Sequence, residues 1–302
     1  MEQIQNKENI DNQNKSRSLL VCFALVNFSM AMINGILPCS LMELEKEVNM
    51  TYQQQGAIGS LAYMGTALIS LISAPILTQI GDKKCLIYAL ALHSIFTLQF
   101  ALSFHFILLC FSRIMQGILQ CFFVVFIPVW INKHSPPNSS TIWMGIAQAA
   151  GPLGITFGYV IAGIFIYLLE GAINWRFSVI IQSIIEALIL LLLIKVPTEA
   201  FHMPSERKFN LSQVAHILSS PLFMFVSLML CSIFFVVTGI QFWSTTYLVQ
   251  ILNCNKKHVV YCFSTVSITA PLCGVFIGSA LSDRYVKEWY REDTKERMQK
   301  RQ

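Results

Sequence analysis

Charge is scarce in this sequence. Asp, Glu, Lys and Arg make up 12% of its 302 residues, where a water-covered domain carries about a quarter. That is too little polarity to clothe a soluble domain of this length, so much of the surface faces something other than water. Several chemical signatures are missing as well. The 9 cysteines form no Cys-x-x-Cys pair and the 6 histidines no cluster at metal-ligand spacing, which argues against a bound metal. No glycine-rich phosphate loop and no nucleophile–base constellation occurs, so neither a cofactor nor enzymatic chemistry is expected. The net charge of +5 is not gathered into an aromatic-interleaved basic patch, and nucleic acid is not an expected partner. No secretory signal is visible. The first 18 residues are rich in Gln, Asn and Lys without an apolar run, and they read as a disordered tail.

What is abundant is apolar surface. Hydrophobic residues make up 55% of the chain, 22 of them Phe, and the mean hydropathy is +0.58. Crossing ~30 Å of hydrocarbon takes roughly 20 apolar helical residues, and runs of that length recur. They predict eight helices, over 19–40, 56–80, 84–103, 106–131, 141–169, 177–196, 220–250 and 257–282. Cys85 to Trp130 is almost unbroken; as one helix it would be about 69 Å long, more than twice the bilayer core. It must turn, and Ser103-Phe104-His105-Phe106 is the least apolar point near its middle. The expected fold class is an all-α integral membrane protein, with the lipid bilayer as its first partner.

Basic residues in short loops mark the cytoplasmic side. With the N-terminus inside, 16 of the 21 Lys and Arg fall on that side and 4 on the other, leaving Arg113 within a span. Both termini are therefore expected in the cytoplasm. Cys39 and Cys254 fall near non-cytoplasmic ends of spans, which leaves a disulfide open; the other cysteines read as small hydrophobes. Asn49-Met50-Thr51 is a glycosylation sequon on the same side, set too close to the membrane for its use to be expected.

Two patterns suggest a duplicated architecture. Asp82-Lys83 follows the second span and Asp283-Arg284 the eighth. An acid–base pair recurring six spans later points to a repeated six-helix unit, as in secondary transporters. An Asp at a helix end accepts from exposed N–H groups and pairs with a basic side chain. That makes a breakable latch between halves, the plainer alternative being a solvated loop charge. The fifth span concentrates Gly145, Gly151, Gly154 and Gly158 around Pro152. Small residues let membrane helices approach closely and proline is tolerated there, so this face serves packing, gating or both.

These stretches resemble the Major Facilitator Superfamily. Gly278 to Arg284 is similar to the family's Gly-x-x-x-Asp-Arg signature after the eighth helix, with Ser279 where the signature has Gly, and Thr78 to Lys84 is a looser version after the second. Gly151-Pro152 with its neighbouring glycines resembles the family's fifth-helix signature. Ile127-Pro128-Val129-Trp130, Trp175-Arg176-Phe177 and Thr238 to Trp243 resemble the Spinster-like branch, lysosomal and plasma-membrane lipid transporters with divergent protist relatives. The resemblance runs from residue 19 to 285. It implies a cytoplasmic tail at 1–18, an N-terminal six-helix bundle at 19–196 and a cytoplasmic central loop at 197–219. The first two helices of a C-terminal bundle follow at 220–282, then a cytoplasmic loop or tail at 283–302. Eight of twelve helices are accounted for, so a fragment or truncated product is expected. The implied activity is alternating-access secondary transport of a small, lipid-derived or organic-anion solute. The implied setting is the plasma membrane or an endolysosomal or vacuolar membrane. A scaffold or receptor-like protein that keeps the fold without transporting is the alternative.

Charges at bilayer depth are costly and usually face a cavity or a partner. Arg113 shares a helical face with Gln116, Gly117 and Gln120, a polar stripe expected to line a cleft. It also matches the family's fourth-helix arginine, which the resemblance implies contacts substrate or a coupling carboxylate. Snorkelling to headgroups is the other reading. Glu186, mid-span, is a candidate proton carrier, since burial raises a carboxyl's proton affinity; a hydrogen-bonded structural acid is the alternative. Asn27 and Asn34, Gln148, Gln241 and Trp243 complete the expected lining. The resemblance also implies a first-helix acid, and Asn27 to Met30 and Ile33 to Gly35 contain none, which leaves the usual route for protons open to question. An intramembrane enzyme would need a paired histidine, and His93 and His105 show no such companion along the chain.

Overall fold

The computed structural model describes residues 2–136, 139–168, 174–201 and 216–267, with 269–270, 273–274 and 277 beyond them. The described residues form helices joined by short turns and contain no strand. The chain divides into a unit ending at Val260 and one beginning at Tyr261; the description below concerns the first. Among the described residues, 7 helices are long and apolar enough to cross a membrane. The expected eighth, at 257–282, is helical over 256–267, and much of its remainder lies outside the described residues.

The first helix departs from expectation. α1 runs over Glu2–Val48, so the predicted tail is helical almost from its start. Residues 2–18 contain neither Pro nor Gly, and Gln, Glu and Lys are good helix formers. Once the apolar span has supplied a nucleus, propagation upstream needs only one hydrogen bond per residue. Asn49, at φ 53, turns the chain, and α2 (Tyr52–Ile80) begins on a capping box at Thr51. Its hydroxyl accepts from the Gln54 amide at 3.4 Å while the Gln54 side chain accepts from the Thr51 amide at 2.9 Å. The sequon threonine is thus engaged as a cap. Gly81, at φ 91, makes the tight reversal into α3 (Asp82–Leu102), a backbone state that favours glycine. Ser103 to His105 break the long apolar stretch before α4 (Phe106–His134), where the turn was expected. α5 (Ser140–Leu168), α6 (Asn174–Lys195) and α7 (Pro221–Thr246) follow.

Glycines set which helices touch. A Cβ at Gly35 would lie 1.8 Å from the Ile155 carbonyl oxygen, and at Gly154 and Gly158 it would lie 2.1 Å from those of Phe28 and Met32. α1 and α5 therefore meet backbone to backbone. α2 and α4 do the same through Gly65 and Gly117, where a Cβ would come 2.3 Å from Ile114 O and 1.8 Å from Ala62 O. Thr66 seals this contact by donating to Gly117 O at 2.9 Å. In the fifth span the packing face is thus Gly154 and Gly158. Gly151 would meet nothing within 4 Å and Pro152 is exposed, because the helix turns that side away from α1. At the end of the bundle nearest the Gly81 turn, Phe23, Phe126, Trp130 and Phe201 pack edge to face. Trp130 donates to the Ala200 carbonyl at 2.8 Å, which holds the 3-10 turn Thr198–Phe201 against the bundle. Cys39, buried, and Cys254, exposed, are both free thiols, so the disulfide left open does not form.

Candidate functional site

Arg113 does not snorkel. It is 1% exposed and points into the helix bundle, where its guanidinium is held by three neutral acceptors. Nε donates to the Ile58 carbonyl of α2 at 3.1 Å, Nη1 to Gln116 Oε1 at 3.0 Å and Nη2 to Asn34 Oδ1 of α1 at 3.2 Å. The close α2–α4 approach at Gly117 brings the Ile58 carbonyl within reach. Among the described residues no carboxylate pairs with Arg113. A guanidinium carries five N–H groups, so the three bonds leave donors for a further partner.

That partner has room. A cavity of about 550 Å³ is bordered by Asn34, Tyr63, Arg113, Gln241, Phe242 and Trp243, with apolar residues making up most of the remaining wall. Four of the residues singled out from the sequence, Asn34, Arg113, Gln241 and Trp243, are therefore together on one cavity. Gln116 stands behind Arg113 rather than on the wall. Gln120 is half-buried and absent from the lining; it keeps the face of Arg113 but lies two turns on, about 10 Å along the axis. Gln148 is exposed and borders a separate groove with Asn132 and Ser140, since α5 turns Gly154 and Gly158, not this residue, toward α1. Asn27 spends its amide on the Ala147 carbonyl at 3.1 Å, bridging α1 and α5.

Behind Arg113 a polar track continues through the bundle. Gln116 donates to Thr97 Oγ1 on α3 at 3.3 Å. Thr97 donates to the His93 carbonyl at 2.9 Å and lies 3.4 Å from His93 Nδ1. His93 Nδ1 is 3.0 Å from Glu186 Oε2 on α6, and Gln182 donates to Glu186 Oε1 at 2.9 Å. His93 and Glu186 are 1% and 0% exposed. Next to them Ser94 and Ser183 donate to each other's carbonyls at 3.0 and 2.9 Å. His93 thus has the companion that the sequence did not reveal. The available signal was matched polarity: His93-Ser94 on one span and Ser183 with Glu186 on another.

The two ends of the bundle differ. At the turn after α2, Asp82 lies in the first turn of α3, and Lys83 donates to the Ile194 and Val196 carbonyls at 3.0 and 2.6 Å, capping α6. Asp283 and Arg284 lie outside the described residues. At the opposite end Arg176 is clasped by Glu47 at 2.8 Å, by the Ala101 and Ser103 carbonyls, and by the Phe104 ring 4.1 Å away. Beside it Lys256 pairs with Glu43, Gln250 joins Glu45 to Tyr52 at 3.3 Å each, and Tyr159 meets Thr245 at 2.7 Å.

The sequence profile of the Major Facilitator Superfamily matches residues 19–291. Among known proteins, monosaccharide-sensing protein 1 of Arabidopsis thaliana is 24% identical over 200 residues, which are 66% of this chain and 26% of that protein. A hexuronate transporter of Bacillus subtilis is 25% identical over 47% of this chain and 33% of its own length. A probable sphingolipid transporter, spinster homolog 2 of Arabidopsis thaliana, is 22% identical over 44% of this chain and 27% of its own. The chain spans about a quarter to a third of the curated relatives it matches. A bacterial homolog of the human lysosomal transporter Spinster, solved inward-facing and occupied, superposes with a TM-score of 0.71 at 17% identity, over 88% of this chain and 61% of that one. The D-xylose–proton symporter superposes at 0.58 with 14% identity, over 83% and 65%. Profile and fold agree: the chain belongs to the Major Facilitator Superfamily.

Proposed function

We propose that this chain moves an amphiphilic organic anion across a membrane by alternating access, with Arg113 as its counter-charge. One observation carries this reading: a buried guanidinium on the wall of a largely apolar cavity, satisfied by neutral acceptors and, among the described residues, paired with no carboxylate. Leaving a cation unneutralised in that setting is costly, and an arriving anion lowers the cost. Trp243, Phe242 and Tyr63 offer apolar contact to the rest of the ligand, and Asn34 and Gln241 offer hydrogen bonds. The names of relatives that handle hexuronates and sphingolipids support an organic acid or a lipid-like solute. In this scheme residues 19–196 form one rocking bundle and 220–282 begin the other. Asp82 and Lys83 are read as one half of a latch on the cytoplasmic side, and the basic loops support a cytoplasmic setting for both termini. Gly154 and Gly158 give the tight α1–α5 packing on which one bundle turns as a unit.

The test uses the purified chain in lipid nanodiscs and proteoliposomes, with decyl phosphate and galacturonate as probes. Decyl phosphate is expected to bind the more tightly and to lose about tenfold or more in affinity on Arg113→Gln, the value of one charge-assisted contact. Equal binding by the variant overturns the role of Arg113. Similarity to a protein named for monosaccharide sensing supports one alternative, a receptor-like role, and binding without any flux into proteoliposomes would favour it.

A further inference from the structure

The cavity beside Arg113 is closed at one end and open at the other. α2 borders it with Gly56, Gly59, Ser60 and Tyr63, a spacing that puts all four on one helical face. Three of them are small, and α7 fills the space they leave. Phe242 lies over Gly59: a Cβ there would come 2.7 and 2.8 Å from its Cε2 and Cζ, where carbon atoms stand about 3.5–4.0 Å apart. A Cβ at Gly56 would meet Trp243 Cζ2 at an ordinary 3.6 Å. The two rings meet edge to face, with centroids 5.1 Å apart. They are held from behind, since Thr245 meets Tyr159 of α5 at 2.7 Å and Gln250 meets Tyr52 of α2 at 3.3 Å. Leu37 and Pro38 of α1, both buried, complete this end. At the other end Tyr63, Phe235 and Val236 are exposed.

Arg113 belongs to the closed end. Its Nε donates to the Ile58 carbonyl, one residue from Gly59, so the guanidinium and the Phe242 ring share one turn of α2. Phe235 stands seven residues before Phe242 on α7, about 10 Å along the axis. An anion on Arg113 therefore has the aromatic rings beside it, and the length of the cavity runs away from it toward the open end. We propose that Phe242, seated on Gly59, limits the bulk a ligand can carry next to its anionic group, while the apolar remainder extends toward Tyr63 and Phe235. This rests on the transport reading above and makes Gly59 and Phe242 a specificity-determining pair. Their contact differs from the glycine contacts that join helices. At Gly117 an added methyl meets backbone, whereas at Gly59 it meets the far end of a side chain, so the ring yields and the helices stay. With Trp243 against it, the ring turns into the cavity and takes space from the anionic group.

The experiment measures binding to the full chain in nanodiscs with two monoanionic probes that differ only beside the charge, decyl methyl phosphate and decyl phenyl phosphate. The wild type is expected to favour the methyl diester by about tenfold or more, within the discrimination a fitted apolar pocket achieves. Phe242→Ala should abolish most of that preference by admitting the phenyl group. Gly59→Ala should weaken both probes, the phenyl diester the more. In the double variant Gly59→Ala/Phe242→Ala the methyl has no ring to displace, so the loss caused by Gly59→Ala should vanish, the non-additivity expected of residues in contact. A preference that survives Phe242→Ala, or a Gly59→Ala loss that persists undiminished without the ring, overturns the size limit. Dodecyl analogues should give the same ratio as the decyl probes, and a ratio that moves with chain length overturns it as well. If neither probe binds the wild type, the anion reading falls and takes the limit with it; if both bind equally, only the limit falls.

Discussion

Arg113 and Arg176 are buried almost equally, at 1% and 4% exposure, yet their surroundings differ in kind. Glu47 meets Arg176 through both Nε and Nη2, two backbone carbonyls take two more of its five N–H groups, and aromatic faces lie against its plane. Every feature of that site neutralises the cation, and it ties α1, the α3–α4 turn and α6 into one knot. Among the described residues Arg113 meets only neutral acceptors, and it borders open space. Burial alone does not separate a structural charge from a functional one. What separates them is whether the protein supplies the counter-ion itself.

The comparison can be broken most forcefully at Arg176. Arg176→Ala leaves the Glu47 carboxylate with the Trp175 indole but no counter-charge, and breaking a buried pair costs about 3–5 kcal/mol. The expected result is a large fall in thermal stability in detergent, with Glu47→Ala close behind. If Arg176→Ala melts like the wild type, the knot is not structural. Gly117→Ala comes next. Its methyl would sit 1.8 Å from Ala62 O, prising α2 from α4 and withdrawing the Ile58 carbonyl from Arg113. Overpacking of this kind costs about 1–3 kcal/mol, and decyl phosphate binding should weaken although no cavity residue has changed.

Arg113→Gln sharpens the contrast by separating stability from binding. Stability should change by less than about 1 kcal/mol, since Gln can still donate to one neutral acceptor, while anion affinity falls about tenfold or more. A loss of stability as large as that of Arg176→Ala would make the two arginines alike. Lys83→Met is the smallest effect. Lys83 caps carbonyls near the surface, and losing such a contact should cost about 0.3–1 kcal/mol. Calorimetry of the purified variant would register it as a slight drop in Tm.

Several of these features were legible along the chain. Seven of the eight expected spans follow from run length, and the break at Ser103 to His105 follows from a helix too long for the membrane. The Gly154 and Gly158 contact was visible as small residues one turn apart. Arg113 stands out as a charge in an oily run, Gln120 shares its helical face, and Asn34, Gln148, Gln241 and Trp243 are polar or amphipathic residues within spans. Neither face nor polarity says how far a cavity extends or which face of α5 meets α1. His93 looked unpartnered because its acid is 93 residues away. The helical tail is not legible in its composition, because its nucleus comes from the adjoining span.

Each apolar run satisfies its own backbone hydrogen bonds, so the existence, number and turning points of the helices are local properties, and residue order determines them. Partnership is not local. Which carboxylate meets Arg176, which imidazole meets Glu186, and that Arg113 meets neutral acceptors depend on which helix faces approach within contact. The glycine contacts of α1 with α5 and α2 with α4 and the serine contact of α3 with α6 set those approaches, and only the folded chain brings them about.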